Sequence, residues 1–147
     1  MRDMVKLLKK LGLEAVLEKF DKYVSELRND FGDDAFGKES NVDVMKEVII
    51  ALAERKPYAI ALPGQLRVYN SFPVKDELKK LGYSFDGFWR MWYKKVEELR
   101  ENRNYLLIHV RKIDEVEKLR KLGIPVMTYA DQKHLEAFTA KVEEGVL

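Results

Sequence analysis

Apolar positions recur at helical spacing through the first third of the chain and then, beyond Pro57, alternate with polar ones. Val16, Phe20, Val24 and Leu27 share one side of a helix predicted over residues 13–29, and a shorter amphipathic helix precedes it. Residues 31–40, rich in acids and interrupted by Gly32 and Gly37, read as a loop. Asn41 or Asp43 can cap a third helix through Arg55, with Val44, Val48, Ile49 and Leu52 as its apolar face. Pro57 stops it.

The alternating part predicts strands over residues 58–62 and 66–72, joined at Pro63-Gly64. Pro73 opens a helix over 74–81. A second hairpin, 83–85 with 88–96, turns at Asp86-Gly87. After a polar connection, a strand over 105–111, a helix over 113–122 and a strand over 124–129 make a crossover unit that implies parallel pairing. A last helix starts near Ala130. Three helix ends share one signature, a Lys or Arg pair followed by Leu-Gly and an apolar residue, at Leu11-Gly12, Leu81-Gly82 and Leu122-Gly123. Cations there face the negative helix end, and Gly takes the left-handed closing position. The expected architecture is one α+β domain: a helical part (1–56), a sheet-forming part (57–129) and a C-terminal helix (130–147). Its mixed sheet has four or five strands, with helices packed on one face.

Composition narrows the classes. The 147 residues contain no Cys, which excludes a disulfide scaffold, thiolate metal sites and a Cys nucleophile; with only two His, a histidine-built metal centre is also disfavoured. The longest uncharged run, ten residues from Pro57 to Leu66, is far below the roughly 20 that a membrane helix needs. Four basic residues within the first twelve argue against a secretory signal, so a soluble cytoplasmic protein is expected. Abundant Lys and Glu without Cys also suit a thermophile.

The net charge of +2 conceals a strong asymmetry: residues 55–112 carry +7, whereas 1–54 carry −3 and 113–147 carry −2. The same middle stretch holds ten of the sixteen aromatic residues, so rings and cations are interleaved. Successive strand side chains point to opposite faces. Sorting on that rule gives an apolar set of Leu66, Val68, Met91, Leu106, Ile108 and Val110, to which Trp89 and Tyr93 also belong as core candidates. The opposite set holds Arg67, Tyr69 and Ser71; Phe88, Arg90, Trp92 and Lys94; and Tyr105, His109 and Arg111. Covering those cations without carboxylate partners would be costly, so that face is expected to stay open. An open surface of π faces and cations suits single-stranded DNA, with Tyr69, Phe88, Trp92 and Tyr105 stacking on bases and Arg67, Arg90, Lys94 and Arg111 meeting phosphates. His109 lies on the same surface. RNA is the alternative partner, because stacking does not read the 2′-hydroxyl.

Residues 72–93, with Phe72-Pro73, Leu78-Lys79-Lys80-Leu81-Gly82 and Trp92-Tyr93, together with the helical beginning, resemble the archaeal ThermoDBP-related proteins. The likeness covers most of residues 41–129. It implies single-stranded DNA binding without catalysis, in a cleft of aromatic and apolar residues edged by basic ones, by a homo-oligomer. The founding protein of that group has a long zipper-like C-terminal helix, whereas 18 residues follow Tyr129 here, so dimerisation by that route is not expected.

Catalytic signatures are sparse. His109 and His134 show no metal-ligand spacing, and Pro63-Gly64-Gln65 is a single turn rather than a phosphate loop. A metal-dependent nuclease would have to use Asp33, Asp34 and Glu39 in an acidic loop. An assembly module is the other alternative, since the stripe of Val5, Leu8 and Leu11 could join subunits. No enzyme activity and no cofactor are expected.

Overall fold

The computed structural model describes residues 1–37, 40–101 and 110–147. Three helices open the chain: α1 (Arg2–Leu11), α2 (Leu13–Phe31) and α3 (Val42–Glu54). Asn41 caps α3, its Oδ1 accepting from the Val44 N–H at 3.0 Å. A hairpin follows, β1 (Tyr58–Leu62) with β2 (Gln65–Tyr69), then a 3₁₀ turn (Phe72–Val74) that runs into α4 (Lys75–Lys80). The second hairpin is β3 (Ser84–Asp86) with β4 (Met91–Lys95). Helix α5 (Glu97–Glu101), a 3₁₀ turn (Val110–Lys112), α6 (Asp114–Lys121), β5 (Val126–Thr128) and α7 (Tyr129–Glu143) complete the described elements. Among the described residues no helix is long and apolar enough to cross a membrane.

The fold is α+β, built on a five-stranded mixed sheet of order β3-β4-β2-β1-β5. All pairings are antiparallel except β1 with β5. The predicted strand over 105–111 lies outside the described residues up to His109, and Val110 and Arg111 sit in a 3₁₀ turn. Among the described residues β5 pairs in parallel with β1, and the Ala59 N–H donates to the Pro125 carbonyl at 2.9 Å.

Helices cover the sheet on both sides, not on one. Tyr58, Ile60 and Met127 face α1, α2, α3 and α7, packing with Met4, Phe20, Met45, Ile49 and Phe138. The opposite face, with Ala59, Ala61, Leu66, Val68 and Val126, packs against Leu78 of α4, Leu99 of α5 and Val116 and Leu119 of α6. Near-continuous apolar character in β1, four of whose five residues are buried, is the local signature of a strand enclosed from both sides. The N-terminal stripe is consumed within the chain: Leu8 is buried in the first cluster, and Val5 and Leu11 pack on it.

Asp131 ties the two halves of the first cluster together. Its carboxylate accepts from the Thr128 N–H, closing a capping box on α7, and from the Asn41 N–H before α3, each at 2.9 Å. Burial raises its pKa above the ordinary value against the pull of those bonds. Replacing Asp131 by Ala removes the carboxylate that accepts from both N–H groups, so a loss of about 3 kcal/mol in denaturant-unfolding stability is expected; a loss under about 1 kcal/mol would show that the tie is dispensable.

Candidate nucleic-acid interface

Strand pairing redistributes the expected surface. Val68 pairs with Trp92 and Leu66 with Lys94, so Trp92 and Lys94 share the face of Leu66 and Val68, opposite Arg67 and Tyr69. A one-residue difference in register moves a whole strand's side chains to the other face. Trp92 is consequently only 8% exposed, with one edge on the surface. Lys94 is committed internally: its Nζ donates to the Leu81 carbonyl at 2.6 Å and to Glu115 Oε2 at 2.9 Å. Tyr93, expected in the core, is half-buried beside Arg67, whose Nε donates to Gln65 Oε1 at 2.7 Å.

The β3–β4 connection is also wider than the two-residue turn that Asp86-Gly87 suggests. Asp86 Oδ1 accepts from the N–H groups of both Phe88 (2.9 Å) and Trp89 (3.0 Å), and Arg90 at φ 51° closes the turn. Phe88 and Arg90 thus belong to a turn rather than a strand. Phe88 is 84% and Trp89 67% exposed, in edge-to-face contact at 5.0 Å. Trp89 is therefore not a core residue. Tyr105 and His109 lie outside the described residues, and of Arg111 only the backbone, in its 3₁₀ turn, is described.

What the fold does assemble is a groove of about 780 Å³ at the end of the sheet. Phe72 and Lys75 come from the 3₁₀ turn and α4, Phe85 and Trp92 from the second hairpin, and Arg55 and Arg90 from the end of α3 and the β3–β4 turn. Phe85 and Trp92 lie 5.3 Å apart; Lys75 Nζ stands 4.8 Å over the Phe72 ring, and Lys79 Nζ 5.9 Å from Trp92. Phe72 is 78% exposed. Among the described residues no carboxylate lines this groove. Of the residues singled out from sequence, Arg90 and Trp92 line it and Phe88 adjoins it. Arg55, Phe72, Lys75 and Phe85 were missed, although Phe72 and Phe85 already stood out in the aromatic-rich stretch.

A second groove of about 770 Å³ adjoins the first, floored by Val5, Leu8, Leu52, Tyr58 and Tyr69. Tyr58 and Tyr69 stack there, 5.3 Å apart and 18° from parallel. Burial, and then the neighbouring Tyr69, pushes the Tyr58 hydroxyl well above the usual tyrosine range, so it stays neutral. The two grooves share Arg55, Asn70 and Arg90. These same three are the non-glycine residues with positive φ among the described residues, at 56°, 53° and 51°. Asn adopts that conformation readily, but Arg does not. Arg55 is held there by a left-handed cap on α3, and Asn70 Nδ2 reaches the Lys56 carbonyl at 3.4 Å.

Among the described residues, no group of three or more His, Asp or Glu is placed to hold a metal ion. Asp33 and Asp34 sit exposed in a turn after α2, and Glu39 lies outside the described residues. The His134 ring packs on Phe36 at 4.7 Å. Comparison with protein-family models, characterised proteins and solved structures gives no match.

Two stability measurements test this geometry. Burial alone would raise the pKa of Glu115, but hydrogen bonds from Lys94 and Lys118 outweigh it and hold the carboxyl below its ordinary value. A depressed folded-state pKa means stability present above the unfolded value and lost as pH falls through the folded one. Glu115→Gln should therefore cost about 1 kcal/mol at pH 7, and the difference from the parent should shrink as pH drops below the ordinary Glu value of about 4.3; a pH-independent difference would contradict the ion pair. Arg90→Gly removes the left-handed penalty, so thermal unfolding should show stability unchanged or raised by up to about 1 kcal/mol. A clear destabilisation would mean that the Arg90 side chain supports the turn.

Proposed function

We propose that the protein binds single-stranded DNA with little sequence preference and without catalysis. Bases stack on Phe72, Phe85 and the exposed rings of the Phe88-Trp89 turn, while Arg55, Lys75 and Arg90 meet phosphates. The observation that carries this reading is the groove itself. Exposed rings and three cations converge on it with no described carboxylate among its lining residues, a combination that favours unpaired bases on a flexible polyanion. Paired bases offer no free faces, which disfavours duplex. The likeness of residues 72–93 to the ThermoDBP-related proteins supports the same partner and the further proposals of a homo-oligomer and an archaeal setting; the Lys- and Glu-rich, Cys-free composition supports a thermophile, and the basic start of the chain supports a cytoplasmic location.

The test is titration with unlabelled oligothymidylate, followed by tryptophan emission. Quenching that weakens with added salt is expected, because cation–phosphate contacts release counterions. Phe85→Ala should weaken binding by about ten- to a hundredfold if one stacked base is lost, taking roughly 1–3 kcal/mol per base. Arg90→Ala should reduce the salt slope by about 0.7, the contribution of one phosphate on a single strand. Unchanged emission from the folded protein at low salt would refute the proposal and favour an assembly module, whose mark is a concentration-dependent particle size. Competition between DNA and RNA strands of equal length decides the sugar preference.

A further inference from the structure

We infer that the groove floored by Tyr58 and Tyr69 is a second segment of the strand path, so that a bound strand crosses the Arg55–Asn70–Arg90 ridge and occupies both compartments. This rests on the single-stranded DNA reading above. Three observations converge on it. First, the two grooves are of nearly equal volume, about 770 and 780 Å³, each within the range of a ligand site, and they share a wall. Second, that wall is made of the only described non-glycine residues with left-handed backbone, two of them Arg. Strained conformations of this kind persist where the surroundings over-determine them and cluster at ligand clamps. The placement sets two guanidinium groups on the boundary, where each is part of both compartments. Third, the second groove combines a ring with cations as the first does: the half-buried Tyr69, stacked on the buried Tyr58, lines it together with the exposed Arg2 and Lys9 and the ridge cations. Its one described carboxylate, Glu54, pairs with Lys56 Nζ at 3.5 Å. An apolar floor with a cationic rim suits a base seated inward and a phosphate held at the edge.

A strand long enough to fill only one compartment should then bind more weakly than one that spans the ridge, and affinity should rise with length in two stages. The experiment is fluorescence anisotropy with end-labelled oligothymidylates from about 3 to about 20 nucleotides, bracketing the usual range of single-strand site sizes. The wild-type protein is compared with the double variant Arg2→Glu/Lys9→Glu. Both side chains are exposed, so folding is retained, which circular dichroism checks. The double variant should bind the shortest strands like the parent and lose the second stage, with long-strand affinity down about tenfold or more and the salt slope lower by about 1.4 for two phosphates. Tyr69→Leu, which keeps an apolar side chain and removes the stacking ring, should lose the same second stage, with circular dichroism again checking the fold. Long-strand affinity equal to the parent in both variants, or a single-stage rise in the parent, overturns the inference while leaving strand binding intact. No binding by the parent at any length refutes the underlying function instead.

Discussion

Enclosure of β1 and the adjoining part of β2 between two layers of helices decides where this molecule can carry chemistry. With Ile60 and Met127 sealed under the N-terminal helices and α7, and Ala61, Leu66 and Val68 sealed under α4, α5 and α6, the centre of the sheet has no wet face. A cation placed there must find a partner, because an unpaired buried charge costs several kcal/mol. Lys94 illustrates the rule. It points into the second layer, and its amine is satisfied by Glu115 and a carbonyl while lying over the Tyr83 ring at 5.9 Å. Arg55, Lys75 and Arg90 instead stand at the end of the sheet, where α3 stops, β2 ends and the β3–β4 turn protrudes.

Those three terminations share a backbone solution. Each contributes one residue in left-handed conformation, Arg55, Asn70 or Arg90, where glycine would be less strained at two of the positions. Their side chains bound both grooves. Stability and the proposed function therefore pull in opposite directions at Arg90: glycine relieves the backbone, and arginine supplies the charge. The exposed rings obey similar logic. Phe72 lies three residues beyond the end of β2 and Phe88-Trp89 is held out on a turn pinned by Asp86, and all three rings are largely exposed.

Much of this was legible in the sequence. Helix ends at the Leu-Gly signatures, a cap on α3 at Asn41 or Asp43, the β1–β2 hairpin and the α+β class with a mixed sheet of four or five strands follow from periodicity and capping chemistry alone; the structure selects Asn41 and five strands. The stretch between residues 55 and 112, where rings and positive charge concentrate, contains every residue that lines the first groove. Register did not emerge, because alternation sorts each strand into two sets without saying which sets of neighbouring strands align; Val68 opposite Trp92 is a tertiary fact. Nor did the turn at Phe88-Arg90, since the dipeptide Asp86-Gly87 signals a tighter reversal than the one Asp86 builds by accepting two N–H bonds. Two-sided cover was hidden for a related reason: four consecutive buried residues in β1 obey no single-face pattern.

The exposed rings and cations of the groove sit on chain terminations at the end of the sheet rather than on a sheet face. The most direct measurement is a backbone-amide NMR titration with a short oligothymidylate. Shift changes concentrated at residues 55, 70–72, 85 and 87–90, with little movement at Arg67, Tyr93 and Lys95, are the predicted result. Changes centred on Arg67, Tyr93 and Lys95, with the turns unmoved, would contradict it.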